Sequence, residues 1–210
     1  MLSWILKPFD LIFHLDRILP PLIATHGDWV YGLLSFIVFL ETGLVIAPFL
    51  PGDSLLFAAG TMAAIGSLNP VLLWIFLWIA AVAGDALNYA VGRLAGERLL
   101  ASRWLSRRHY DQAHAFYVRS GSLAIILARF IPIVRTFAPF VAGVSRMPYQ
   151  AFFFYNIFGG GLWVTLFVWG GYFFGNLPFM RDRFSTVVIG IVIVSFLPFL
   201  WKTSREFKKR

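Results

Sequence analysis

The stretch that decides the fold is ETGLVIAPFLPGDSLLFAAG, residues 41–60. Glu41 and Asp53 stand on either side of a run that holds Pro48, Pro51 and Gly52, all inside very apolar sequence. Proline removes a backbone donor and clashes with the turn before it, so no straight helix runs through this segment. If the segment lies in lipid, each open backbone group costs several kcal/mol, roughly, unless it lines a cavity or is buried in protein. The break therefore reads as a place where the chain turns around inside a membrane, with an acid on each arm.

Composition supports the membrane. Of 210 residues, 59% are hydrophobic, 18% aromatic and only 13% charged, and the mean hydropathy is +0.76. A soluble domain of this length needs far more charge to cover its surface. There is no cysteine, which excludes a disulfide framework and a thiolate metal site. The formal charge of +8 sits in clusters outside the apolar runs, the pattern of membrane topology rather than nucleic-acid binding. The first 25 residues carry polar residues every few positions and read as no removable signal peptide.

Residues 1–27 read as an amphipathic helix at the interface. Residues 71–91, 152–174 and 184–201 read as spans, the last somewhat short. Two further apolar regions, about 30–66 and 121–145, are broken by Pro48, Pro51 and Gly52 and by Pro132 and Pro139. Each reads as a re-entrant helical hairpin. APF recurs at 47–49 and 138–140, and each hairpin is followed by a span that ends in Tyr-x-x-Gly, Tyr89 to Gly92 and Tyr172 to Gly175. Arginines cluster between Arg93 and Arg119, and the tail at 203–210 is basic; both are expected on the cytoplasmic side. The first hairpin then opens outward and the second inward. The expected fold is an all-α integral membrane protein, one domain over 28–202. It has two inverted-topology repeats, each a re-entrant hairpin plus a transmembrane helix, and a C-terminal transmembrane helix. Paired broken helices in such repeats point to a transporter site near the midplane.

Five charges fall in or beside these regions: Glu41, Asp53, Asp85, Arg129 and Arg135. A charge at bilayer depth costs about 2.5 to 3.5 kcal/mol on insertion scales, so such groups face one another or water. If the hairpin tips meet, Glu41 and Asp53 pair with Arg129 and Arg135. The plain reading is internal glue. The functional reading is a proton relay at Glu41 and Asp53 beside a phosphate site at Arg129 and Arg135, because the guanidinium fork fits phosphate oxygens. Asp85 and Asn88 share a helix face and, with Asn156, are accessory candidates. Gly159 to Gly161 read as packing, and Trp163, Trp169 and Phe152 to Phe154 as lipid-facing or interfacial bulk. No histidine falls in a predicted span, no side chain at depth reads as a catalytic nucleophile, and no metal or cofactor site is expected.

Glu41, Pro48, Pro51-Gly52-Asp53, Gly84-Asp85 and ARFIPIVRTFAPFVAG at 128–143 together resemble the DedA family of membrane proteins, related to the VTT-domain lipid scramblases. The resemblance runs from about residue 28 to the basic tail. It implies that Glu41, Asp53, Arg129 and Arg135 are essential, and that the protein moves a phosphate-bearing lipid between leaflets in a proton-dependent way. Undecaprenyl phosphate in a bacterial inner membrane is the first expectation. A phospholipid scramblase, for example for phosphatidylethanolamine, and a proton-coupled antiporter of small cations or drugs are the alternatives. The expected partners are membrane lipids with anionic headgroups and protons, with no nucleic acid; a homo-oligomer stays open.

Overall fold

A computed structural model describes residues 27–44, 52–101 and 107–175. Every regular element among them is helical. The expected amphipathic segment, Pro48, Pro51, the APF at 47–49, the span at 184–201 and the tail lie outside the described residues.

Helix α1 (Trp29–Gly43) buries Val30, Leu34, Val38 and Glu41 along one face, the helical spacing of a packed stripe. Leu44 leaves it in an extended conformation. Helix α2 (Gly52–Ala64) follows the break. Helix α3 (Pro70–Ala101) starts on Asn69, whose Oδ1 accepts the N–H groups of Val71 and Leu72 at 3.0 and 3.1 Å. With Pro70 in first position, this is a strong helix start. Helix α4 (Arg107–Ser120) leads through a 3-10 turn (Gly121–Leu123) to α5 (Ala124–Ala128). After a turn at 129–131 come α6 (Pro132–Val144) and α7 (Tyr149–Gly175). The apolar parts of α3, Pro70–Gly96, and of α7 each run about 40 Å at 1.5 Å per residue, enough to cross a bilayer.

One expectation changes. The second break lies at residues 129–131, where Ile131 is extended, as the residue before a proline prefers. Pro132 opens α6, whereas Pro139 sits inside it. There Pro139 has no N–H for the carbonyl of Arg135, one turn back.

The halves pack by exchange. α1 lies on α3 and α5 on α7, while α2 crosses α7 and α6 crosses α3. Both crossings are backbone against backbone. A Cβ on Gly60 would meet the carbonyl of Val168, and one on Gly171 the carbonyl of Phe57. At the other crossing, Gly143 faces the carbonyl of Tyr89 and Gly92 that of Phe140. Phe57 and Gly60 thus match Phe140 and Gly143, and Val168 and Gly171 match Tyr89 and Gly92. The partner of Tyr89–Gly92 is one turn earlier on α7 than the Tyr172–Gly175 motif that the sequence suggests. Identical chain motifs misled by a turn; the close approach of glycines sets the register.

Two apolar cores result. One holds Leu73 and Leu77 of α3 with Trp163, Val164 and Val168 of α7; the other holds Tyr89 of α3 with Phe152 of α7. The two long helices therefore run in opposite senses between the cores. The polar residues of both lie in the gap. Phe152, expected at the lipid or the interface, is buried and stacks on Tyr89, while Phe153 and Phe154 are exposed.

Gly143→Ala and Gly171→Ala should each destabilise the protein by about 1–3 kcal/mol, the usual cost of overpacking. Gly32→Ala, with open space around it, should cost nothing or stabilise slightly. Thermal unfolding of the purified protein in detergent checks the contrast.

Candidate functional site

The break after α1 places two carboxylates by local means. Glu41, in the last turn of α1, accepts the N–H of Gly52 at the start of α2 at 3.1 Å. A carboxylate satisfies the free donors of a helix N-terminus and complements its dipole. Gly52 has to be glycine for this, because a Cβ would run into the Glu41 carboxylate. Asp53 is next in the first turn of α2.

Across from them, Arg135 stands in the first turn of α6. Its Nη1 donates to Asp53 Oδ1 at 2.6 Å and its Nη2 donates to Glu41 Oε1. One guanidinium thus bridges both arms of the first break. Trp163 of α7 completes the group. Its indole N–H donates to the same Asp53 oxygen at 2.8 Å, and its ring lies 4.6 Å from the Arg135 guanidinium carbon, in cation–π contact. Sequence reading put Trp163 at the lipid or the interface; it is 1% exposed. The signal was present in the spacing: Asn156, Gly160 and Trp163 fall on one helical face.

Arg129 does not join this cluster. Its Nη2 donates to Asp85 and to Asn156 Oδ1 at 2.5 Å. Asn156 in turn donates to the carbonyl of Val82 at 3.0 Å. The expected pairing of the two acids with two arginines is therefore redistributed: both acids hold Arg135, and the accessory residues Asp85 and Asn156 hold Arg129. Gly159 and Gly160 make room for the Arg129 side chain, a more specific task than general packing. Asn88 donates to the carbonyls of Thr42 at 3.1 Å and Thr136 at 2.8 Å, and so ties α1 to α6.

The two groups differ in access. Arg129 and Asp85 are 5% and 6% exposed in their side chains, whereas Asp53 reaches 19%. A small cavity lined by Thr42, Asp85, Arg129, Arg135, Thr136 and Trp163 joins them, with about 10 Å³ for the centre of a water molecule. That is room for roughly one water. Glu41 Oε2 and Arg129 Nε are buried without a partner among the described residues. The layer holds three carboxylates and two guanidiniums, one negative charge in excess when all are ionised. Among the described residues no cluster of His, Cys, Asp and Glu could hold a metal ion.

A VTT-domain family model matches residues 50–173. The chain belongs to the VTT-domain family. This VTT-domain membrane protein is 50% identical to Protein DedA of Escherichia coli strain K12, over 90% of this chain and 89% of the relative. It is 41% identical to an uncharacterized membrane protein of Mycobacterium leprae, over 85% and 82% of the two chains. It is also 39% identical to inner membrane protein YqjA of E. coli, over 71% and 69%. No solved structure matches.

Asp85→Asn alone leaves the buried Arg129 uncompensated and should cost about 3–5 kcal/mol. The double variant Asp85→Asn with Arg129→Gln should recover a large part of that loss. A double-mutant cycle read by thermal unfolding measures it, and simple additivity would mean the pair is not coupled.

Proposed function

We propose that this VTT-domain protein is a proton-linked translocase of a phosphate-bearing lipid, with undecaprenyl phosphate as the favoured cargo. The observation that carries the reading is Arg135, a guanidinium between the two broken regions whose ion-pair partners among the described residues are two carboxylates that can exchange it for another anion. A phosphate offers oxygens to both nitrogens of the same fork, and the Trp163 face holds the cation in place while partners change. The cavity admits about one water, so a headgroup enters only as Arg135 releases Glu41 and Asp53. The layer already carries an excess negative charge, and a phosphate adds more. Burying that charge uncompensated is costly, so protons on Glu41 or Asp53 accompany the lipid. Arg129, Asp85 and Asn156 stay paired in this scheme and hold α3, α5 and α7 together.

The matched crossings and the opposed long helices support an inverted-topology repeat with two re-entrant hairpins. The basic residues around Arg98 and Lys208 then lie in the cytoplasm. The chain has no cysteine, so single replacements report directly. In intact cells an impermeant thiol reagent should label Ser67→Cys and leave Ser204→Cys unlabelled.

Transport is tested with protein in liposomes that carry a labelled undecaprenyl phosphate. Collapsing the proton gradient should slow leaflet exchange at least about tenfold, and Arg135→Lys should lose a similar factor, because a point charge does not replace the fork. Glu41→Gln and Asp53→Asn should bind headgroup without responding to the gradient. Wild-type exchange that ignores the gradient, together with normal exchange in both acid variants, would identify a passive scramblase.

A further inference from the structure

Near the end of α3 a second cavity, of about 240 Å³, opens between that helix and the turn after α6. Arg93 and Arg98 of α3 and Arg146 of the turn line it, and among the described residues no acidic one does. Gly92 and Gly96 let α6 come close to α3 here, which brings Arg146 towards the other two. Arg93 Nη1 donates to the Tyr89 hydroxyl at 2.7 Å, and that hydroxyl donates to the carbonyl of Met147, so the helix and the turn are tied together. Among the described residues Arg98 and Arg146 have no hydrogen-bond or ion-pair partner. All three arginines are exposed.

The backbone at Arg146 gives the second observation. α6 ends with Met147 N–H bonded to Ala142 O at 2.9 Å and Arg146 N–H to Gly143 O at 3.0 Å. α2 ends with the same pair of bonds, Ser67 to Met62 and Gly66 to Ala63, both at 3.1 Å. This turn needs a left-handed residue, and glycine is its usual occupant. α2 has Gly66 there, at φ +82°. α6 has Arg146, at φ +54°, where a Cβ is strained. A side chain kept in such a position points to a use for it. Nor does the internal match require Arg93: the crossing that pairs Gly92 with Gly171 pairs Arg93 with Tyr172. The three arginines break the likeness of the two halves at one place.

Three guanidiniums with no carboxylate beside them among the described residues suit a multiply charged anion, and their forks fit phosphate oxygens. The apolar part of α3 ends at Gly96, so the cavity lies where basic pockets beside a span meet lipid headgroups. The geometry points to a second anion site, made by Arg93, Arg98 and Arg146, that takes a terminal phosphate group at the membrane surface. It shares no residue with the Arg135 cluster and stands whether or not lipid crosses there.

Arginine modification by phenylglyoxal, mapped by peptide mass spectrometry on the full chain in detergent micelles, reads the site locally. The probes are dihexanoyl phosphatidic acid, inorganic phosphate and, as a zwitterionic control, dihexanoyl phosphatidylcholine. Phosphatidic acid should slow modification of Arg98 and Arg146 roughly tenfold, the scale of a charge-assisted hydrogen bond, and leave exposed Arg119 of α4 unchanged. Equal protection by inorganic phosphate would assign the site to the free anion; protection by phosphatidic acid alone would assign it to a lipid headgroup. Arg146→Gly should raise Tm by relieving the backbone, yet remove the protection at Arg98. Arg98→Gln, which leaves the turn untouched, should remove the protection at Arg146. The proposal fails if neither phosphate probe protects Arg98 or Arg146, if Arg119 is protected equally, or if each arginine keeps its protection when the other is replaced.

Discussion

The ion pair group on Arg135 is the interaction on which the rest depends. Glu41 ends α1, Asp53 begins α2, and Arg135 begins α6. A single side chain therefore closes the first break and binds it to the helix after the second. Glu41 also takes the free N–H of Gly52, so the same carboxylate answers both a charge and a helix end. In a low-dielectric setting the Coulomb gain is large only if the geometry is complete. Gly52, which clears the way for Glu41, and Trp163, which donates to Asp53 and covers Arg135, complete it.

The two helix crossings match, but the charges beside them do not. α2 on α7 and α6 on α3 use the same arrangement of glycine against carbonyl. Without those glycines the helices would stand further apart and the polar side chains would not reach across the gap. The acids of the breaks, however, come from the first half and the arginines from the second. Acids on one side and arginines on the other attract where the two parts of the chain meet. This gives the layer a physical reason to form between the two apolar cores.

Within that layer the inner and outer groups have different characters. Arg129 has one carboxylate, an amide and little exposure, the setting of a fixed strut. Arg135 has two carboxylates, one of them the most exposed acid of the layer, and an aromatic face. An exchange of partners costs less where water can reach one of them. The arginines around the end of α3 are different again, since no acid among the described residues lines their cavity and they lie open to the surface.

Much of this was legible in the sequence, for reasons that are local. Apolar runs without charge, prolines that remove donors and carboxylates in apolar surroundings are properties of a few neighbouring residues, and they determine the membrane class, the two broken regions and the five charges that must meet. Which charges meet depends on how each helix is rotated and where it crosses its neighbour. The contact of Gly60 with Val168 and of Gly143 with Tyr89 decides that register, one turn away from the Tyr-x-x-Gly motif on α7. The register then decides that Glu41 and Asp53 share Arg135, that Asp85 takes Arg129, and that Trp163 faces the site rather than lipid. Sequence by itself determined the kind of side chains that need partners; only the tertiary structure decided the partners, because pairing is set by the close approach of distant backbones, which no short stretch of sequence encodes.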